Sequence, residues 1–240
     1  MRTCVNHAFA TVAAEVYTRL VEAARTTTLR QGRERDLVRA TRALFDERGV
    51  LDAPIEEIAK AVGIARGLIY RQFSSKEELF VLTVTDYLDE LAEALDAAIP
   101  RDADPATQLE LGMEAYAGFC QRYPAFIDSS LSLMQRPARD LREVVSESVW
   151  LRLGQGMARC IDHLVRVLRA GAEAGTFDVD DSEYTANVLW TQVLGAMHLP
   201  RIRVGLRQAA PGIPELFTVA PDQVVQTCVQ SALATVGARR

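Results

Sequence analysis

The sequence predicts an all-α protein, in which an N-terminal three-helix domain precedes a larger C-terminal helical domain. Apolar residues recur at helical spacing along most of the 240 residues, and we find no segment with sustained period-two alternation. The composition, 49% hydrophobic and 25% charged, is that of a globular chain. The length allows one large domain or a small domain plus a larger one, with enough residues to build a core.

The N-terminal part begins with short helices and ends in a long one. The predicted helices are residues 34–48, 54–62 and 65–72, followed by a helix from residue 75 to about residue 99. Gly63 supplies a tight turn between the second and third helices. Ser74 and Ser75 each precede a glutamate by three residues, which is the capping-box pattern for the start of the long helix.

The C-terminal part is predicted as further helices joined by proline- and glycine-rich connections. The segments with helical spacing are residues 109–123, 126–134, 138–174, 182–198 and 222–236. Residues 205–221 are rich in Pro and Gly and are predicted to form a loop. Before the first domain, residues 8–24 carry apolar side chains on one side of a possible helix.

Charge and cysteine content exclude several classes of protein. The two longest uncharged runs, Tyr184–Pro200 and Gln223–Ala238, contain several polar residues, so we predict no membrane helix. The apolar stretch at residues 8–14 is short and ends at Glu15, which argues against a secretory signal. The four cysteines form no C-x-x-C pair, as expected for reduced thiols. We therefore expect a cytoplasmic protein that does not interact with a membrane.

The second and third predicted helices have the length and turn of a helix-turn-helix, here residues 54–73. From Ile58 to Lys76 there is no acidic residue, which leaves this surface free of charges that repel phosphate. Ile69 and Phe73 are spaced to anchor the third helix in the core. The remaining side chains of that helix are then available to a DNA groove, namely Arg66, Gly67, Leu68, Tyr70, Arg71 and Gln72.

The run Gly63-Ile-Ala-Arg-Gly-Leu-Ile-Tyr-Arg-Gln-Phe-Ser-Ser-Lys-Glu-Glu-Leu79 resembles the signature of TetR-type transcriptional regulators. The match carries over Arg66, Gly67, Tyr70, Phe73 and Lys76 as DNA-binding residues. The sequence departs from the signature at Ala65, Leu68 and Gln72, and Ala53-Pro54 stands where a hydroxyl would touch phosphate. The resemblance implies a DNA-binding domain at residues 31–91 and a ligand-binding and dimerisation domain at residues 92–240, after an N-terminal extension at residues 1–30.

The C-terminal domain contains many large, adaptable side chains. In a TetR-type protein this region would surround an effector cavity, and an apolar, aromatic lining would favour a hydrophobic small molecule. Packing as ordinary core is the alternative. The candidate ligand-binding residues are Met113, Tyr116, Phe119, Tyr123, Phe126, Met134, Trp150 and Met157. His163 and His198 are too isolated to indicate a metal, so we expect neither a metal nor a cofactor.

Apolar seams on the last two predicted helices suggest a homodimer. One seam includes Tyr184, Val188 and Val193, and the other includes Cys228 and Leu233. Two such helices from each chain would form a four-helix interface, although packing within one chain would use the same seams. A dimer places two recognition helices in adjacent major grooves when they lie about 34–36 Å apart.

The leading hypothesis is a repressor that binds a palindromic DNA operator as a homodimer and is released by a hydrophobic effector. An activator, or a regulator without an effector, is the first alternative, and an all-helical enzyme is the second. The extension at residues 1–30 has three interpretations: a helix on the body, an arginine-bearing arm that reaches DNA, or residues ahead of the true start codon.

Overall fold

The structure, a computed structural model, describes residues 29–49 and 54–238. In these ranges the all-α prediction is confirmed, since helices form nearly all of the regular structure. The predicted helix at residues 8–24, the three interpretations of the extension up to residue 28, and Ala53 lie outside the described residues.

Four helices build the N-terminal part. Helix α1 covers residues 29–48, so it is longer than the predicted first helix. It is followed by α2 (Ile55–Val62), α3 (Arg66–Gln72) and α4 (Lys76–Ala98). One half of the predicted capping box forms at Ser75, whose hydroxyl accepts a hydrogen bond of 3.0 Å from the backbone N–H of Glu78, while the Glu78 carboxylate accepts from the N–H of Ser74 rather than of Ser75. The predicted domain boundary after residue 91 falls inside α4, which therefore extends from one part of the molecule into the other.

The C-terminal part adds seven helices among the described residues. They are α5 (Pro105–Arg122), α6 (Pro124–Met134), α7 (Ala138–Val144), α8 (Glu147–Glu173), α9 (Ser182–Ala196), α10 (Leu199–Ile202) and α11 (Pro221–Thr235). The predicted continuous helix over residues 138–174 is wrong, because the chain is extended at Val145 and Ser146 and divides into α7 and α8.

The segment predicted as a loop at residues 205–221 instead forms most of an antiparallel hairpin. Strand β1 (Val204–Ala210) pairs with β2 (Ile213–Thr218), and Leu206 lies opposite Leu216. The turn between the strands uses Gly212 in the left-handed conformation, with φ of 77°. The loop prediction failed because Pro214 and the adjacent pair Leu216-Phe217 obscure the alternation that a strand normally shows.

The core is centred on α4, which packs against α8 and α5, while α11 packs against α5. Tyr87 and Leu91 of α4 are fully buried, as are Leu109 and Tyr116 of α5. Full burial of one such apolar side chain stabilises a fold by about 1.5–3 kcal/mol. Among the described residues, no helix is both long enough and apolar enough to cross a membrane.

Candidate nucleic-acid interface

The turn between α2 and α3 is built from glycine geometry and backbone hydrogen bonds. Gly63 has φ of 72°, the left-handed conformation that glycine adopts without a Cβ clash. Its N–H donates to the carbonyl of Lys60 at 3.1 Å, and the N–H of Ile64 donates to the carbonyl of Ala59 at 3.0 Å. Ile58, on the inner face of α2, is buried and fixes α2 and the turn that follows it to the core.

Helix α3 has one buried face and one exposed face. Ile69 and Phe73 are only 2% and 3% exposed, so they fix the helix to the core. The assignment of Phe73 as a DNA contact is therefore wrong, because its side chain faces inward. The other predicted residues divide by exposure: Leu68 and Gln72 are half-buried, and the exposed ones are Arg66, Gly67, Tyr70, Arg71 and Lys76.

Arg66 lies at the start of the exposed face of α3. Its Nη1 is 2.6 Å from Oε1 of Glu56 on α2, a partner that the sequence analysis did not identify. Its guanidinium also lies 5.5 Å from the ring centroid of Tyr70. A hydrogen bond with Tyr70 and the charge of Glu56 raise the pKa of Arg66. An exposed pair of this kind contributes little stability, so Arg66 can exchange Glu56 for a phosphate at small cost.

Gly67 and Gln72 occupy contrasting positions on α3. A Cβ built on Gly67 would meet no atom within 4 Å among the described residues. The packing of the domain therefore does not require glycine at this position. A glycine would be required only if another molecule approached the backbone of α3 closely here. Gln72 is engaged within the chain, because its Nε2 donates to the carbonyl of Arg30 at 3.3 Å.

A buried carboxylate joins the helix-turn-helix to the C-terminal part. Glu78, 6% exposed, accepts hydrogen bonds from the N–H and hydroxyl of Ser74 at 2.5 and 2.7 Å. Its other oxygen accepts from the N–H and hydroxyl of Ser146, between α7 and α8. Burial alone would raise the pKa of Glu78, but these donors outweigh burial and lower it. Ser75 adds a second link, donating to the carbonyl of Val144 at 2.6 Å.

The eight predicted ligand-binding residues do not surround a single cavity. Met113, Tyr116, Phe119, Tyr123 and Phe126 pack with one another in the core at α5, α6 and the residue between these helices. In this cluster Tyr116 stacks on Trp190 at 4.4 Å between ring centroids, and Phe119 meets Phe126 edge to face at 5.3 Å. Such contacts leave these side chains little room for a ligand.

A separate apolar cavity of about 270 Å³ lies between α4, α6, α7, α8 and α9. The three remaining predicted residues line it: Met134, Trp150 and Met157. The sequence does not indicate the other lining residues, because helical spacing marks a residue as buried without showing whether its side chain faces a cavity. These are Val84, Leu88, Ser130, Leu133, Arg136, Ala138, Leu141, Leu153, Trp190 and Leu194.

The predicted dimer seams pack largely within the chain. Leu189, Val193, Cys228 and Val229 are buried against their own core, whereas Tyr184 remains 69% exposed. The outer faces of the two helices are uncharged over most of their length. The exposed charged residues, Glu183 and Asp222, lie in the first turns of the two helices. The uncharged exposed residues include Tyr184, Asn187, Thr191, Gln192 and Gly195 on α9, and Gln223, Gln226, Thr227, Gln230, Ser231, Ala234 and Thr235 on α11.

A short helix, a glycine turn and an exposed second helix, supported by α1, define the helix-turn-helix class of domain. The family model for bacterial regulatory proteins of the tetR family matches residues 37–82. The match and the fold together identify a TetR-type helix-turn-helix domain at residues 37–82, which confirms the resemblance.

Two curated relatives share parts of the sequence. The HTH-type transcriptional activator FasR of Mycolicibacterium smegmatis is 29% identical over 92 residues, which are 38% of this chain and 42% of FasR. The HTH-type transcriptional repressor KstR2 of Rhodococcus jostii is 27% identical over 151 residues, 63% of this chain and 71% of KstR2. The chain thus spans less than half the length of FasR and somewhat over two thirds of KstR2.

Solved structures share the fold over most of the chain. A tetR-family regulatory protein from Rhodococcus RHA1 superposes with a TM-score of 0.62 and 18% identity, covering 86% of this chain and 98% of that one. The structure of RolR in complex with resorcinol also has a TM-score of 0.62, with 19% identity over 89% of this chain and 91% of RolR.

Proposed function

We propose that this chain is a ligand-responsive transcriptional regulator that represses its target genes by binding a palindromic operator as a homodimer. The exposed, acid-free face of α3 is the observation that carries the proposal. The relatives described above are transcriptional regulators by name rather than enzymes, so the all-helical enzyme hypothesis is set aside.

The exposed face of α3 combines the contacts that a DNA groove requires. Arg66 and Arg71 of α3, together with Lys76 at the start of α4, supply cations for phosphates or for guanine edges, and Tyr70, 48% exposed, offers a hydroxyl or ring carbons. Gly67 leaves space for the sugar-phosphate backbone. Three phosphate contacts per chain would make binding strongly dependent on salt, because each one releases a condensed counterion.

The outer faces of α9 and α11, uncharged beyond their first turns, support the homodimer. Depletion of charge distinguishes the core of a protein interface from the rest of a surface. In contrast, the outer face of α8 carries Arg159, Asp162, Arg166 and Arg169. A symmetric pair joined through α9 and α11 would hold two α3 helices at a fixed spacing, which is what a palindromic operator demands.

The 270 Å³ cavity is the proposed effector site. Its lining is almost entirely apolar, with Ser130 and Arg136 as polar groups, so it favours a hydrophobic molecule of modest size. RolR, which has a similar fold, was solved with resorcinol bound, so a small aromatic compound is a reasonable first probe.

The cavity shares two walls with the helix-turn-helix support. Leu88 belongs to α4, which begins beside α3, and Leu141 belongs to α7, which ends next to the Ser146–Glu78 hydrogen bonds. A ligand that displaces α7 would therefore disturb the same contacts that position α4. The ligand would weaken operator binding by its differential affinity for the two arrangements.

The DNA-binding proposal is tested by selecting bound sequences from random DNA and then measuring affinity for the selected site. Arg66→Ala and Tyr70→Ala should each lower affinity about 10-fold or more, and Arg66→Ala should reduce the salt slope by about 1. Arg139→Ala, which removes an exposed arginine of α7, is the matched control and should leave affinity unchanged. Absent or salt-insensitive binding would contradict the proposal.

The effector site is tested by tryptophan fluorescence, because both tryptophans of the chain, Trp150 and Trp190, line the cavity. Titration with resorcinol should change the emission and reduce DNA affinity. Ala138→Phe, which adds bulk at the cavity wall, should abolish both effects, whereas Ala158→Phe on the exposed face of α8 should not. If Ala138→Phe leaves both responses intact, the ligand binds elsewhere.

Repression is distinguished from activation by comparing transcripts of neighbouring genes with and without the protein. FasR is named an activator and KstR2 a repressor, so relatives of both kinds exist. Loss of the protein should raise transcript levels, and a fall would favour the activator alternative.

A further inference from the structure

The β1–β2 hairpin projects from the body with little cover from its own chain. Every residue of β2 is exposed, and in β1 only Gly205 and Ala210 are partly covered. Its packing within the chain is mainly against the short helix α10. An isolated two-stranded ribbon is marginally stable in water, so this hairpin needs a surface to pack against.

The register gives the ribbon two different faces. Cross-strand partners share a face, so Val204, Leu206, Leu216 and Thr218 lie together on one side. Leu206 and Leu216 are directly opposite each other and are 70% and 66% exposed. Leu199 and Ile202 of α10 extend the exposed apolar surface toward the body, which makes a patch rather than scattered side chains.

On the opposite face of the ribbon, the side chains contact one another across the two strands. Phe217 lies across from Gly205, where a Cβ would come within 2.3 Å of its ring. Arg207 pairs with Glu215 at 2.8 Å, and its guanidinium lies 5.9 Å from the Phe217 ring centroid. Arg207 and Glu215 are the charged residues of positions 204–218, so the ribbon itself carries no net charge.

The position of the hairpin indicates what covers its leucine face. It forms the connection between α10, which follows α9, and α11, and so it lies at the margin of the two uncharged helix faces. In a two-fold pair joined through those faces, an element at their margin meets the partner molecule. We propose that the hairpin is a dimerisation arm whose Leu206–Leu216 face packs on a second copy of this chain. This inference rests on the homodimer of the proposed function.

The test measures the dimer dissociation constant of the full chain by sedimentation equilibrium. Leu206→Glu combined with Leu216→Glu should raise the constant at least 100-fold, because each leucine loses its apolar burial and its replacement brings a charge into the interface. Leu151→Glu, at a 58% exposed leucine on the charged face of α8, is the matched control and should have no effect. Circular dichroism should remain unchanged for both, since these side chains are exposed in the single chain.

A second variant separates the arm from the helix faces. Ala234→Arg places a charge on the outer face of α11 and should also dissociate the dimer. If Ala234→Arg dissociates the dimer and the arm variant does not, the arm proposal is overturned while the homodimer stands. If the unmodified chain is a monomer at micromolar concentration, the arm proposal and the homodimer proposal are both overturned.

Discussion

Glu78 shows how one side chain can join two parts of a molecule. Its carboxylate accepts from Ser74 next to α3 and from Ser146 between α7 and α8. Because Glu78 is 6% exposed, losing its carboxylate would leave these donors without an acceptor in a region that water reaches poorly.

Replacing Glu78 by Ala should lower the free energy of unfolding by about 2 kcal/mol, the scale of hydrogen bonds to a charged group. Glu77→Ala is the control, because Glu77 is the neighbouring glutamate in the first turn of α4 and is only half-buried. Urea unfolding at neutral pH measures both. Equal losses for the two variants would contradict the role assigned to Glu78.

The same interaction has a defined pH dependence. The donors lower the pKa of Glu78 below its usual 4.5, so its contribution is complete above pH 4.5 and is lost as the pH falls through the lowered value. The stability difference between the unmodified chain and Glu78→Ala should therefore shrink in acid. A constant difference down to complete acid unfolding would show that the carboxylate charge is unimportant.

Among single residues, the sequence predicted contacts between near neighbours along the chain but not contacts between residues far apart in it. The Ser75–Glu78 capping interaction followed from a spacing of three residues. Ser146 lies 68 residues away from Glu78, and no local pattern indicates that pairing. Phe73 was assigned two roles, core anchor and DNA contact, and burial leaves it only the first.

Helix α8 illustrates how one glycine can be needed and another dispensable within one element. A Cβ on Gly171 would come within 2.0 Å of the Phe177 ring, which folds back over the helix end. A Cβ on Gly154 would meet no atom within 4 Å among the described residues. The two positions therefore make a matched pair.

Gly171→Ala should destabilise the chain by about 1–3 kcal/mol, because Phe177 must leave its buried position. Gly154→Ala should instead stabilise it by about 0.5–1 kcal/mol through helix propensity. Thermal unfolding of both variants provides the comparison. A shift of the same sign in both would mean that the Phe177 contact does not decide the outcome.

Periodicity predicted most helices because each one buries a single stripe. It failed at Ser146, where no Pro or Gly marks the break between α7 and α8, since the Ser146 N–H is drawn to a carboxylate on another helix. It failed again at the hairpin, where the apolar side chains face outward and so carry no signal of an internal core.

Across the whole molecule, Arg42 connects α1 to the C-terminal part. Its guanidinium donates to Asp86 at 2.7 Å and to Glu90, and it lies 4.1 and 4.7 Å from the ring centroids of Tyr87 and Tyr123. The Tyr123 hydroxyl in turn donates to Glu90 at 2.7 Å. Burial alone would lower the pKa of Arg42, but these carboxylates outweigh burial and raise it, so the side chain stays charged.

Arg42→Ala should lower the free energy of unfolding by about 2–3 kcal/mol, less than a fully buried pair would lose because Asp86 and Glu90 are partly exposed. Arg42→Lys should restore part of the loss, since a lysine keeps the charge without the planar fork. Arg39→Ala, at an exposed arginine of the same helix, is the control. Urea unfolding in which Arg42→Ala matches Arg39→Ala would contradict this linkage.

The reactivity of the three buried cysteines reports how often the core opens. Cys120, Cys160 and Cys228 are buried, and burial raises the pKa of each thiol, to about 12 for Cys160. Alkylating reagents attack the thiolate, so these thiols do not react until the core opens, water reaches them and they ionise. The rate at which an alkylating reagent modifies them therefore measures how often α5, α8 and α11 separate, with no label added to the chain.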